Sequence, residues 1–226
     1  MDSLPPTLFA FLRELRINNE REWFEANKDR YRAEVRDPML AFISAFAKPL
    51  SEISPHFVAD PRPNGGSLFR IYRDIRFSRD KTPYKTNAGA HFRHAAGRDA
   101  HAPGFYLHIE PGGCFAGCGI WHPDKTALQA IRAAIDEHGD EWIRITGTRS
   151  FRETFRIAGN SLKRPPRGYD ATHPLIDDLK RKDFIALTNL AESDVTRPGF
   201  LDRFASIART GSKFAGFLCR AVGAPF

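Results

Sequence analysis

The stretch FYLHIEPGGCFAGCGIW, residues 105–121, decides the fold. Two segments of strand composition, residues 105–110 and 114–121, flank the loop residues Pro111-Gly112-Gly113. A short loop containing glycine between two such segments is typical of a β-hairpin. Because successive side chains of a strand point to opposite faces, we expect His108 and Glu110 on one face together with Tyr106. The stretch therefore predicts two antiparallel strands, with a histidine and a carboxylate side by side.

Further strands and helices are predicted on both sides of this hairpin. Period-2 alternation marks residues 67–77 as a strand, followed by strands at 85–93 and 184–190. Helical spacing marks residues 7–16, 19–50 and 198–221, with Asn19 as a cap and Pro38 dividing the second helix. We predict one α+β domain, residues 1–226, with an antiparallel sheet of four or more strands covered by N-terminal and C-terminal helices.

The positive charge of the chain is concentrated in one segment. The whole chain carries a net charge of +7, and residues 62–98 alone account for it, because the remainder has equal numbers of basic and acidic residues. Such a segment attracts phosphates, nucleotides, nucleic acids or acidic proteins. Its basic residues are Arg62, Arg70, Arg73, Arg76, Arg79, Lys81, Lys85, Arg93 and Arg98.

Residues 67–87 are the predicted binding segment for a small anionic, phosphate-bearing ligand. Arginine grips phosphate with two hydrogen bonds, lysine provides a point charge, and tyrosine stacks or donates a hydrogen bond. The predicted ligand-binding residues are Arg70, Tyr72, Arg76, Arg79, Lys81, Tyr84 and Lys85.

A competing interpretation gives the arginines of this segment a structural role. They would then pair with carboxylates such as those of Glu20, Glu22 and Glu25 and hold helices on the sheet. Arg73 in particular would point into the apolar face of a regular strand, where a charge needs a partner, and we expect it to meet a buried carboxylate.

Two other functions are open. His108 and Glu110 are the candidate acid and base of a hydrolase or transferase acting on such a ligand, although a solvated sheet face explains the same pattern. Alternatively, the basic segment is an interaction module for an acidic protein or a nucleic acid. Nucleic acid is the less favoured of the possible ligands, because an extended footprint usually draws basic residues from several elements.

Three stretches resemble a known family. They are SLFRIYRDIRFSRDKTPYKTN at 67–87, NNEREWFEANKDRY at 18–31 and APGFYLHIEPGGCFAGCGIW at 102–121. Together they resemble a family of bacterial and fungal proteins known as a domain of unknown function, with the signature FRIYRDIRFSxDKTPYKT. The resemblance extends from about Pro5 to Ala221 and implies a single domain. It implies no catalytic residue, cofactor or partner.

The cysteines and the apolar runs indicate a cytoplasmic protein without a membrane segment. The chain has only three cysteines, and this low, odd number does not suit a disulfide framework. No apolar run approaches the roughly 20 residues of a membrane span, and the N-terminus lacks the pattern of a signal peptide. Cys114 and Cys118 would lie about 13 Å apart on one strand, too far to share a zinc ion. The sequence identifies no metal site and no cofactor.

Overall fold

A computed structural model describes residues 2–97 and 102–226, so Arg98 of the basic segment lies outside the described residues. The described chain contains five strands in one antiparallel sheet, in the order β1-β2-β3-β5-β4, with helices before and after the strands and further helices between β3 and β5. This confirms the predicted α+β class, and none of the described helices is long and apolar enough to cross a membrane.

The strands are β1 (Ala88–Arg93), β2 (Gly104–Ile109), β3 (Cys114–Ile120), β4 (Arg156–Ala158) and β5 (Phe184–Leu190). The helices are α1 (Pro6–Ile17), α2 (Arg21–Ala26), α3 (Lys28–Tyr31), α4 (Asp37–Ile53), α5 (Lys125–Glu137), α6 (Gly139–Gly147), α7 (Arg149–Thr154), α8 (Ile176–Leu179), α9 (Glu192–Thr196) and α10 (Phe200–Ala221).

The predicted hairpin is confirmed as β2 and β3. In its register Tyr106 faces Gly117 and His108 faces Phe115. The strand β1 pairs with the free edge of β2, and β5 pairs with the free edge of β3. Every pair in the sheet is antiparallel, so residues in register across the strands share a face.

Helices α4 and α10 pack on one face of the sheet, which we call the inner face. The ring of Phe92 on β1 lies 4.8 Å from that of Phe46 on α4 and 5.7 Å from that of Phe204 on α10. The Sγ atom of Cys118 lies 3.7 Å from the carbonyl oxygen of Gly211 on α10. Phe92 and Cys118 mark the inner face, and the alternate residues of each strand lie on the opposite, outer face.

The predicted strand at 67–77 is wrong as a regular strand. Residues 67–85 form an irregular two-armed ribbon, the basic ribbon, with backbone N–H groups of Phe69 and Lys85 donating to Gly89 and Ile71 at 2.9 and 2.8 Å. The bridges Leu68–Ala90 and Tyr72–Tyr84 differ in register by two residues, and this shift interrupts the ladder. The strand β1 begins at Ala88, three residues after the predicted start at residue 85.

Pro38 lies at the start of α4, and Asn19 lies between α1 and α2. A π-helical stretch, Arg32–Arg36, precedes α4, and Pro38 lies in the first turn of α4, so the hydrogen-bonding pattern of the helix changes just before this proline while the backbone stays helical. Proline lacks an N–H for the preceding turn, and a wider turn accommodates that loss. The predicted cap at Asn19 is wrong. Its side-chain amide instead donates to the carbonyl of Tyr84 and accepts from its N–H, both at 3.0 Å, and Glu20 occupies the cap position.

Candidate functional site

The outer face of the sheet carries a groove of about 380 Å³. Its floor is the backbone of three glycines. Gly104 on β2 lies opposite Gly119 on β3, and Gly117, two residues before Gly119, lies on the same face. Because none of the three has a side chain, neighbouring groups can pack close to the strand backbone at this point.

Neighbouring residues crowd each of these glycines. A Cβ atom at Gly104 would lie 2.2 Å from Nε2 of His91, and one at Gly117 would lie 2.5 Å from Cδ2 of Leu187. At Gly119, where φ is +128°, a Cβ atom would lie 2.0 Å from the carbonyl oxygen of Phe184. The three positions are therefore restricted to glycine, and the side chains of His91 and Leu187 pack close to two of them beside the groove.

Aromatic and imidazole rings form most of the wall. The ring of Phe115 stacks on that of His108 at 4.5 Å with 12° between the planes, and the ring of Phe69 lies 6.1 Å from that of Tyr106. Ile185 adds an aliphatic side chain from β5. The rings that line the groove are those of Phe69, His91, Tyr106, His108, Phe115 and Trp121.

A chain of polar contacts runs from the groove to α1. The hydroxyl of Tyr106 lies 3.2 Å from Nδ1 of His108, and Nε2 of His108 lies 3.2 Å from Oε2 of Glu110. Nη2 of Arg16 donates to Oε1 of Glu110 at 2.9 Å. His108 and Glu110 are in contact on one face, as their spacing predicts, and their catalytic roles stay predictions.

Tyr106 is a neutral hydrogen-bonding group at physiological pH. Burial, and secondarily the negative charge of Glu110, raise the pKa of the Tyr106 phenol to about 12. With a proton on Nε2, His108 donates to Glu110 and accepts from the Tyr106 hydroxyl at Nδ1. The three side chains can then act as one hydrogen-bonded unit at the wall of the groove.

Two arginines of the basic ribbon are held by carboxylates of the ribbon itself. Nη2 of Arg76 lies 2.7 Å from Oδ2 of Asp74, and Arg73 donates to Asp80 and to Thr82. The hydrogen bond from Arg76 lowers the pKa of Asp74 to about 2, and those from the Thr82 backbone and from Arg73 lower the pKa of Asp80 to about 2. Arg73 is thus paired as predicted, but with an exposed carboxylate in place of a buried one. The partners predicted for these arginines, Glu20, Glu22 and Glu25, are not the ones found.

Four other cations of the ribbon form no ion pair within residues 2–97 and 102–226. Lys81 donates to the carbonyl of Ile75 at 3.0 Å, and Lys85 donates to that of Arg70 at 2.9 Å. The ammonium of Lys85 also lies 5.5 Å from the centroid of the Phe69 ring. Burial, and then the charge of Arg70, lower the pKa of Lys85. The four cations are Arg70, Arg79, Lys81 and Lys85.

The two tyrosines of the ribbon face the N-terminal helices. Tyr84 is 3% exposed and stacks on Phe24 at 4.0 Å, so its ring belongs to the core. The ring of Tyr72 is 46% exposed and lies 5.5 Å from that of Tyr84. Within the part of the chain that the structure describes, none of the seven predicted ligand-binding residues lines the groove. The ribbon reaches the groove through Phe69.

Sequence reasoning missed the glycine floor and three of the aromatic walls. The alternation of residues 67–77 predicts Phe69 in the apolar face of a strand, and the hairpin pattern predicts Phe115 and Trp121 only as strand residues. The spacing of Gly117 and Gly119 is a usable signal, since glycines two apart in a strand leave one face bare. Within the described part of the chain, no group of three or more His, Cys, Asp or Glu side chains could hold a metal ion.

A family model described as a conserved hypothetical protein, DUF2461, matches residues 7–217. Comparison with curated proteins and with solved structures finds no match. The family match covers α1, the ribbon, the whole sheet and most of α10.

Proposed function

The chain belongs to the DUF2461 family of conserved hypothetical proteins, and because membership alone brings no activity with it, we propose a function from the groove. The protein binds a small anionic molecule that carries a flat ring. The ring lies on the glycine floor between the aromatic walls. The anionic group, which we take to be a phosphate, lies at the end of the groove formed by Phe69, beside Lys85 and Arg70.

The observation that carries this proposal is the groove on the outer face of the sheet, which has three glycines in its floor and six rings in its wall. The groove volume of about 380 Å³ suits a small ligand, since ligand pockets usually measure about 300–1,000 Å³. Offset or edge contacts between aromatic rings contribute about 0.5–1.5 kcal/mol each beyond the area they bury. A ligand ring above Gly104, Gly117 and Gly119 would lie close enough to several rings of the groove wall to make contacts of this kind.

The charge of the ligand follows from the rim of the groove. Lys85 is partly buried, and its lowered pKa reflects the cost of keeping a charge there without a carboxylate partner. An anion beside it would offset that cost. Of the residues first predicted to grip an anion, Lys85 lies beside the Phe69 ring, and Arg70 is close enough to Lys85 for its charge to affect the pKa of Lys85. Arg76 is already held by Asp74.

The first test is the melting temperature of the protein with 1-naphthyl phosphate, adenosine monophosphate, 2-naphthol and inorganic phosphate. A ligand at 100 times its Kd stabilises the fold by about 2.7 kcal/mol, which is several degrees at this chain length. We expect 1-naphthyl phosphate to stabilise most, because it offers both the ring and the charge. Arg70→Ala with Lys85→Ala should weaken binding of the phosphate ester and leave that of 2-naphthol unchanged.

A groove-filling variant tests the location of the site. In Ile185→Trp the larger side chain occupies the groove, and the shift caused by 1-naphthyl phosphate should disappear. Ile143→Trp is the matched control, because Ile143 is an exposed residue of α6 outside the groove. Equal stabilisation of Ile185→Trp and the wild type would place the site elsewhere and overturn the proposal.

Enzymatic turnover of the bound ligand is the second candidate, and the contacts among Tyr106, His108 and Glu110 favour it. Hydrolases and transferases often combine a hydroxyl, a base and a carboxylate that orients the base. In this arrangement His108 takes the proton that Tyr106 or a bound water gives up, and Glu110 stabilises the charged imidazole. Arg16 keeps the Glu110 carboxylate in place.

Hydrolysis of 1-naphthyl phosphate, followed by the release of naphthol across a pH range, tests this candidate. Tyr106→Phe and His108→Ala should each lower kcat by about 10²–10⁴-fold, the usual contribution of acid–base catalysis. Glu153→Ala, on the exposed face of α7, is the control. Binding without turnover would show a binding protein and exclude this candidate for the ester.

The cytoplasm stays the proposed location. Cys114, Cys118 and Cys219 are all buried and unpaired. Burial raises the pKa of the Cys118 thiol to about 12, so this thiol stays protonated and unreactive. Buried free thiols are typical of a reducing compartment.

A further inference from the structure

Exposed aromatic rings are concentrated on the basic ribbon. Seven large hydrophobic residues of the described chain are exposed, and three of them are aromatic residues within 69–77. Phe69 is 38% exposed, Tyr72 is 46% exposed and Phe77 is 95% exposed. Because Phe77 is almost wholly exposed, its ring gains almost none of the stabilisation that burial would give it. Single exposed apolar residues are common, but three exposed rings within nine residues, beside cations without carboxylate partners, favour an interaction surface.

The loop that carries Phe77 is held by its own contacts. The ion pair of Arg73 with Asp80 joins its two sides, and that of Arg76 with Asp74 is a local contact on one side. The guanidinium of Arg76 lies 5.9 Å from the centroid of the Phe77 ring. The ring is therefore presented from a structured loop with a cation on one side of it.

Cations without carboxylate partners alternate with these rings. Arg79 and Lys81 follow Phe77, while Arg70 and Lys85 accompany Phe69, and none of the four forms an ion pair within residues 2–97 and 102–226. Proteins that bind single strands combine positive charge for the backbone with aromatic side chains on which bases stack. An acidic protein surface would use the charges but would not require a ring that is almost wholly in solvent.

We propose that the basic ribbon binds single-stranded nucleic acid. Phe77 stacks on a base, and Arg79 and Lys81 contact the flanking phosphates. Arg70 and Lys85 extend the contact toward the sheet. Phe77, Arg79 and Lys81 do not line the groove, so this part of the surface is distinct from the small-molecule site, and only Arg70 and Lys85 are shared by both.

Fluorescence anisotropy with a labelled 15-nucleotide oligothymidylate and the full-length protein tests the proposal. Four phosphate contacts predict that binding weakens by about 50-fold between 50 and 200 mM salt. Phe77→Ala should weaken binding at least about fivefold, because a stack is lost without any change in charge. Arg79→Ala with Lys81→Ala should reduce the log–log salt slope by about 1.4.

The matched control for charge is Lys163→Ala with Arg164→Ala. These two cations lie exposed on another loop and, like Arg79, make no ion pair with any residue in 2–97 or 102–226. Their removal should leave the affinity nearly unchanged, and Phe77→Leu should lose as much affinity as Phe77→Ala. No binding at 50 mM salt would overturn the proposal. So would binding of labelled polyglutamate that matches that of the oligonucleotide and survives Phe77→Ala, since the partner would then be an acidic protein surface.

Discussion

Gly119→Ala is expected to lower the free energy of unfolding by about 2–6 kcal/mol. At φ +128° an alanine is strained, which costs about 1–3 kcal/mol. Its Cβ atom would also lie 2.0 Å from the carbonyl oxygen of Phe184, a backbone atom of the neighbouring strand that can move only if β5 moves away from β3. Overpacking of this kind costs a further 1–3 kcal/mol or so.

Chemical denaturation and thermal unfolding of Gly119→Ala measure this loss. At this chain length each kcal/mol corresponds to roughly 2–4 °C in the melting temperature. Gly112→Ala is the control, because Gly112 also has a positive φ, +76°, but has open space around it. It should lose only the strain of the left-handed backbone, about 1–2 kcal/mol. If both variants lose the same amount, the close approach of β5 to Gly119 contributes nothing to stability.

Local patterns predict the helices and the central hairpin well. The loop Pro111-Gly112-Gly113 and the alternation on each side of it are contained within 17 residues, and the pairing of His108 with Glu110 follows from strand periodicity alone. The basic ribbon was harder to predict, because its arms shift register by two residues between Leu68 and Tyr72. That shift depends on packing against other elements and leaves no mark in the alternation of residues 67–77.

The groove depends on pairing between strands, which periodicity does not specify. The sequence shows two glycines, Gly117 and Gly119, two residues apart on one strand. Only the register of β2 and β3 brings Gly104 beside them. The partner of Arg73 was missed for a different reason. A regular strand would carry this side chain into the apolar face, whereas the irregular ribbon lets it reach Asp80, seven residues away.

Asp183→Ala is expected to cost about 2–5 kcal/mol and to weaken ligand binding in the groove. The Asp183 carboxylate is 1% exposed and accepts hydrogen bonds from the backbone N–H of His122 at 2.9 Å and of Asn160 at 2.8 Å. It also lies 2.9 Å from Nδ1 of His122. Both N–H groups are part-buried, and each would lose this acceptor, at a cost of up to about 1–3 kcal/mol. Since these donors come from separate segments, the sequence does not indicate the contact.

The effect on the groove follows from the position of His122. This residue has a φ of 50°, in the left-handed region that favours glycine, and its ring lies 4.1 Å from that of Trp121 in the groove wall. Without Asp183, His122 can relax and carry Trp121 away from the glycine floor. We expect Asp183→Asn, which keeps one acceptor oxygen, to lose about half as much stability and affinity for 1-naphthyl phosphate. Asp140→Ala, at an exposed position of α6, should change neither. Lost stability with unchanged affinity would show that Trp121 is positioned independently of Asp183.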